Sequence, residues 1–279
     1  MADTGLKHET WLERVPTLLD ECAAEWGLRL GEPYEAGAAG YTVRADLPDG
    51  TRAVLKLIYP HREAEQEAEA LRVWDGDGAI RLLAHDAERW AMLLERCDPG
   101  TPLAELPPDE GLAMLIRLVP RLWVCAGAPF YTLADEVEWW LSYLPDEWER
   151  AGQPFERSLL ELAMDALAAQ AASQGEPVLL HQDLHGDNVL AAQREPWLVI
   201  DPKPLVGERE FAVAPIVRDF ELGHTKEEVL ARLERLTSEL GLDKERARWW
   251  TVGQSLAWSV DGEVMHRNVE VARWLAEAA

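Results

Sequence analysis

The chain has 279 residues, enough for one large domain or two smaller lobes around a sizeable core. Its 27 basic and 51 acidic side chains leave a net charge of −24, which repels nucleic acid and anionic membranes. Cys22, Cys97 and Cys125 are far apart and lack Cys-x-x-Cys spacing, so neither a disulfide framework nor a zinc site is expected, and a reducing compartment fits.

No apolar stretch approaches the roughly 20 residues of a membrane-spanning helix. The first residues, with Asp3, Lys7, His8 and Glu9, hold no apolar signal core. A cytoplasmic protein is expected.

Trp11, Leu12, Val15, Leu18, Leu19 and Cys22 have helical spacing, so a helix is predicted over 9–26, with Pro16 as a break or kink. Strands follow: Leu28 to Glu35, Tyr41 to Asp46, and Arg52 to Ile58. The glycine-containing segment Ala36-Gly37-Ala38-Ala39-Gly40 and the turn Pro48-Asp49-Gly50 separate them. A charged helix, Arg62 to Trp74, stops at Asp75-Gly76-Asp77-Gly78. Ala79 to Ala84 and Trp90 to Glu95 read as two further strands. From Thr101 onward the pattern is helical: Asp109–Cys125, Leu133–Ser142, Phe155–Gln174, Thr225–Leu240 and Lys244–Ala278. The expected organisation is an N-terminal lobe over 1–95, a hinge over 96–100, and a helical C-terminal lobe over 101–279. A cleft between two such lobes is where a ligand commonly binds.

One segment interrupts the helical region as a loop between short strands: Leu180-His181-Gln182-Asp183-Leu184-His185-Gly186-Asp187-Asn188, followed by Pro196-Trp197-Leu198-Val199-Ile200-Asp201. It reads His-x-Asp-x-x-x-x-Asn, then an apolar run ending in Asp. This is the form of a phosphoryl-transfer site, in which one Asp orients and deprotonates a hydroxyl while the later Asn and Asp hold magnesium on ATP. Asn188 offers an amide oxygen and Asp201 a carboxylate, both hard ligands suited to Mg2+. Asp183 is the candidate base. His181 and His185 are four apart, but the His-Glu-x-x-His pattern of a zinc helix is absent. They read as groups that fix the loop.

Lys56 lies in Ala-Val-Leu-Lys-Leu, on one face of a central strand, and needs a charged partner there. Glu67, four residues before Leu71 on the following helix, is the chosen partner, with Glu63 as runner-up. Lys56 is the candidate phosphate contact. Gly37 and Gly40 allow close backbone approach to phosphate, and they equally suit a plain hairpin. The backbone at Glu95 and Cys97 is placed to read an adenine edge, or is a simple linker.

These residues resemble the aminoglycoside phosphotransferase family, which shares the protein-kinase-like fold. The similarity runs from about Leu28 to the end and is strongest over His181 to Asp201. Gln182, where protein-directed relatives usually carry Arg, favours small-molecule kinases. Ile200-Asp201-Pro202-Lys203 with Val206-Gly207-Glu208, Trp74-Asp75-Gly76 and Leu93-Leu94-Glu95-Arg96-Cys97 resemble the streptomycin 6-phosphotransferase and hydroxyurea phosphotransferase branch.

The resemblance implies an α+β, two-lobe fold and Asp183 as catalytic base. It implies Asn188 and Asp201 on magnesium, Lys56 paired with Glu67 on the ATP phosphates, and adenine held by the Glu95 to Cys97 backbone. Many relatives carry an acidic residue where this chain has Ala212 after Phe211, which reads as a change in loop support that leaves the reaction in place.

The expected acceptor is a hydroxyl on a small cationic molecule, an aminoglycoside such as streptomycin, for which carboxylates and aromatic faces are suitable. Trp258, Asp261 and Glu263 are the chosen acceptor contacts. The alternatives are a metabolic kinase for an amino sugar or other alcohol, and a kinase-like protein that binds nucleotide without catalysis.

Overall fold

The computed structural model describes residues 8–34, 40–260 and 264–278. In chain order the first elements are α1 (His8–Trp26), β1 (Arg29–Pro33), β2 (Gly40–Asp46), β3 (Arg52–Ile58), α2 (Glu67–Trp74), β4 (Leu82–Asp86) and β5 (Ala91–Glu95). Then come α3 (Pro108–Leu122), α4 (Leu133–Arg150), α5 (Arg157–Ala171), β6 (Val178–Leu180), β7 (Val189–Ala191), β8 (Trp197–Val199) and β9 (Leu205–Gly207). The short α6 (Ala214–Val217), then α7 (Lys226–Leu240), α8 (Lys244–Ala257) and α9 (His266–Ala276) complete the order. The chain divides into two compact units, Met1–Thr101 with Leu190–Lys203, and Pro102–Val189 with Pro204–Ala279. The architecture is α+β.

The first unit is built on one antiparallel sheet of order β1-β2-β3-β5-β4. Alternation sends Ala53, Leu55 and Leu57 of β3 to one face, where Val43, Ala45, Ala91 and Leu93 join them. Trp11, Val15, Leu18 and Cys22 of α1 cover that face, so the predicted helical stripe and the strand stripe form one core. Lys56 falls between Leu55 and Leu57 and therefore points to the other face, in register with Thr42 and Met92. The helix α1 continues through Pro16. The carbonyl that loses its partner belongs to Leu12, on the exposed side of the helix, where it is open to solvent.

The predicted strand over 79–84 resolves into two pairings. Ile80 N–H donates to the Val199 carbonyl, 3.0 Å, and Ala79 bridges Val199, while β4 itself begins at Leu82 and pairs with β5. The apolar run therefore serves two neighbours.

In the second unit, α4 runs past the predicted stop at Ser142 and through Pro145. Val137, Trp140, Leu144 and Trp148 form a continuous buried stripe, and that burial outweighs the lost backbone bond. The predicted helix over 244–278 is two helices, α8 and α9. The interruption falls between Ala257 and His266. β6 pairs antiparallel with β9, and the 181–188 loop follows β6 directly. None of the described helices is long and apolar enough to cross a membrane.

Candidate active site

In the first unit, Lys56 Nζ lies 2.7 and 2.8 Å from the two carboxylate oxygens of Glu67. It also donates to Asp201 Oδ1. Glu67 is 2% exposed and Lys56 9%, whereas the Asp201 side chain is 47% exposed. Burial alone would lower the Lys56 ammonium, but the Asp201 and Glu67 carboxylates together outweigh it and hold its pKa above the usual lysine value. Burial pushes Glu67 up to about 7, against the pull of Lys56. The helix α2 starts at Glu67, later than the predicted Arg62, and Ala68, Leu71 and Trp74 set the buried face that brings Glu67 inward.

Asp201 follows β8 in the left-handed region, φ 54°. That conformation ends the strand and is tolerated better by Asp than by most side chains. Gly40 opens β2 opposite Ile58, and a Cβ there would stand 3.3 Å from the Leu57 carbonyl and 3.9 Å from Lys56 Cε. Gly37 lies outside the described residues.

The Glu95 N–H donates to the Arg81 carbonyl, 2.9 Å, and its carboxylate accepts Arg194 Nε at 2.8 Å and Nη2 at 2.9 Å. Arg194 also donates to the Gly76 and Ala79 carbonyls, at 2.7 and 2.9 Å. This bidentate clamp fixes the end of β5. It leaves the Glu95 carbonyl, not its N–H, as the group able to meet a ligand edge. The Cys97 thiol is pushed up to about 12 by burial, so it stays protonated and unreactive.

In the second unit, the 181–188 loop is closed on itself. The Asp183 N–H donates to the His181 carbonyl, 2.8 Å, and lies 3.3 Å from His181 Nδ1. Asn188 Nδ2 donates to the Asp183 carbonyl, 2.8 Å, and lies 3.1 Å from His185 Nε2. Both histidines thus act on the loop itself. With Nδ2 committed, the Asn188 amide oxygen is the atom left to ligate, which fits a hard cation such as Mg2+, as does the Asp201 carboxylate.

Gln182 sits at φ 63°, a strained value for a side-chain-bearing residue. Gln254 Nε2 donates to its carbonyl, 2.9 Å, and its own Nε2 reaches buried Glu136 Oε1 at 3.4 Å. Gly186 packs so closely that a Cβ would lie 2.9 Å from Ala104 Cα. His185, Asp187 and Glu221 bring ligand atoms within 4.8 Å of one another, a grouping able to hold a metal ion. Glu221 is pushed up to about 7, by burial first and then by Asp187 and Asp219.

Several supports were not singled out from sequence. Asp219 Oδ2 accepts the Gly186 N–H, 3.2 Å, and supplies loop support from beyond the position where Ala212 stands. Arg218 Nη2 lies 3.7 Å from Asp183 Oδ1. Buried Glu208 accepts Arg246, the Trp250 indole N–H and the Gly175 N–H, bracing β9. The available signal was an Arg-Asp pair directly after the apolar run Phe211 to Val217. Of the acceptor candidates, Trp258 lies beneath Arg218, whose guanidinium carbon is 4.6 Å from the ring centre. Asp261 and Glu263 lie outside the described residues.

The sequence profile of the aminoglycoside/hydroxyurea antibiotic resistance kinase family matches residues 32–268. A hydroxyurea phosphotransferase of Kitasatospora aureofaciens is 40% identical over 96% of this chain and 80% of its own length. A streptomycin 6-kinase of Streptomyces griseus is 36% identical over 92% and 87%. Among solved structures, the choline kinase of Streptococcus pneumoniae aligns with TM-score 0.69 at 14% identity, over 95% of this chain and 100% of that one. An aminoglycoside phosphotransferase solved with ADP and hygromycin B aligns with TM-score 0.64 at 15% identity, over 92% and 94%. These two likenesses establish the kinase-like fold. The chain belongs to the aminoglycoside/hydroxyurea antibiotic resistance kinase family.

Proposed function

We propose that the chain moves the γ-phosphoryl group of ATP to a hydroxyl of a small cationic acceptor, an aminoglycoside such as streptomycin, and so confers antibiotic resistance. The observation that carries this reading is the Lys56 ammonium held between Glu67 and Asp201, in a chain 36% identical to a streptomycin 6-kinase.

Asp183 accepts the proton of the acceptor hydroxyl as that oxygen attacks the γ-phosphorus. Lys56, oriented by Glu67, contacts the phosphates, with Gly37 and Gly40 allowing the backbone to approach them. The Glu95 carbonyl and the Cys97 N–H meet the adenine edge. Asn188 and Asp201 hold Mg2+, which when bound offsets the phosphate charge. Trp258, Asp261 and Glu263 are the proposed acceptor contacts. The net charge of −24 favours a cationic acceptor over nucleic acid or anionic lipid, and free cysteines with a need for ATP fit the cytoplasm.

A second reading has hydroxyurea, small and uncharged, as the acceptor. The 40% identity to a hydroxyurea phosphotransferase favours it. Comparing kcat/KM for streptomycin, hydroxyurea and a panel of amino sugars separates the readings. Streptomycin as the best acceptor supports the first, and hydroxyurea as the best supports the second. Turnover of an amino sugar alone points to a metabolic kinase. Turnover with no acceptor in the panel refutes both readings.

A further inference from the structure

Arg218 is a buried cation with one nitrogen left unpartnered among the described residues. Its side chain is 11% exposed, and its Nε is enclosed with no hydrogen-bond partner among the described residues. Its Nη2 stands 3.7 Å from Asp183 Oδ1, too far for a direct hydrogen bond but close enough for a strong charge interaction. Buried Arg232 also has one unpartnered nitrogen, Nη1, but its Nε and Nη2 donate to the Val217 and Gly223 carbonyls at 3.1 and 3.0 Å, and two more arginines likewise bond carbonyls. Arg248 Nη1 donates to the Leu275 and Ala278 carbonyls at 2.6 and 3.0 Å, and Arg194 bonds two carbonyls and three carboxylate oxygens. Those two staple backbone, as a purely structural arginine should. Arg218 staples none among the described residues.

What holds Arg218 is stacking. Its guanidinium lies over the Trp258 ring at 4.6 Å, a contact that fixes its plane without using its donors. Its backbone is anchored by the next residue. Asp219 accepts the Gly186 N–H at 3.2 Å and the Glu221 N–H at 3.0 Å, so the 218–219 segment and the 183–186 loop are tied together. The cation is thereby delivered to the Asp183 carboxylate, with the Asp219 charge also near it.

We infer that Arg218 is a positioning residue for the transfer step: seated on Trp258, it sets the place and orientation of the Asp183 carboxylate. The inference rests on the reading of Asp183 as the base. A charge at 3.7 Å attracts the Asp183 carboxylate without itself hydrogen-bonding to its oxygens. A direct bidentate pair would tie those oxygens up.

The test compares the full-length parent with R218A and R218K, using its best acceptor from the panel and saturating Mg-ATP. R218A is expected to lose about tenfold or more in kcat, with KM for ATP within about threefold of the parent. Added guanidinium ion is expected to restore R218A by about threefold or more, while urea, equal in shape but uncharged, does not. R218K, charged but not planar, should fall between parent and R218A. A kcat for R218A within about threefold of the parent overturns the inference. So does a loss that guanidinium leaves unchanged, or that urea restores equally. If R218A is insoluble, R218Q takes its place under the same criteria. D183A measured alongside separates the two claims. Transfer surviving in D183A refutes the base reading itself, whereas transfer lost in D183A but intact in R218A refutes only the role of Arg218.

Discussion

Lys56 Nζ stands 2.7 and 2.8 Å from the two oxygens of Glu67, so a cation on the middle strand and an anion at the first turn of the following helix form one buried pair. Asp201 shares the ammonium from a half-exposed position. Of the two carboxylates, Glu67 is enclosed with the lysine, and Asp201, the proposed metal ligand, is the exposed one.

E67Q preserves the shape of Glu67 and removes its charge. ATP affinity, read by calorimetric titration, should weaken about tenfold. Stability should fall by about 2 kcal/mol, less than the usual cost of breaking a buried pair because Asp201 still partners Lys56. ATP affinity equal to the parent's would contradict the pairing role.

D201N keeps the left-handed residue and one oxygen but lowers the ligand charge. The magnesium concentration that gives half-maximal rate should rise about tenfold or more, while the unfolding temperature stays within a few degrees. A magnesium titration curve that overlays the parent's would remove Asp201 from the metal site.

The sequence made the first unit readable because its periods are clean. Alternation around Lys56 gave the sheet face, and the three-four spacing of Trp11 to Cys22 gave the helix that covers it. Pro145 hid the second half of α4, since proline reads as a stop where no neighbour is visible, and Trp148 packs only once the fold exists. The pairing of Ala79 and Ile80 with Val199, more than a hundred residues away, leaves no local trace. Asp183, Asn188 and Asp201 stand in a fixed spacing and are visible as a motif. Arg218 and Asp219 act from another segment, so their roles emerge only from contact distances.

G186A tests the tightest backbone approach in the 181–188 loop. A Cβ would meet Ala104 Cα at 2.9 Å and Ala104 N at 3.0 Å, neither of which can swing aside. The expected cost is about 1–3 kcal/mol in urea unfolding, accompanied by loss of transfer as the loop shifts. Unchanged stability would show that the 103–105 turn yields.

Glu156 and Arg273 join the start of α5 to α9 through bonds of 2.9 and 2.8 Å. The Arg273 hydrogen bonds hold the Glu156 carboxyl down at about 2, against an ordinary 4.5. A depressed acid stabilises the fold above its unfolded pKa, and that contribution is lost as pH falls from 4.5 toward 2. Both side chains are more than a third exposed, so solvent screening limits the pair to about 0.5–1 kcal/mol. E156Q should therefore be less stable than the parent at neutral pH, with the gap closing as the medium is acidified below pH 4.5. A gap that does not change with pH would show that the pair contributes nothing through charge.

The account turns on Asp183 as the base that accepts the acceptor's proton. The most direct measurement compares D183A with the parent for phosphoryl transfer and for Mg-ATP binding on the same preparations. Transfer should fall by about a thousandfold or more while the Kd for Mg-ATP stays within about threefold. Transfer that survives in D183A, or that is lost only in step with nucleotide binding, would contradict the account.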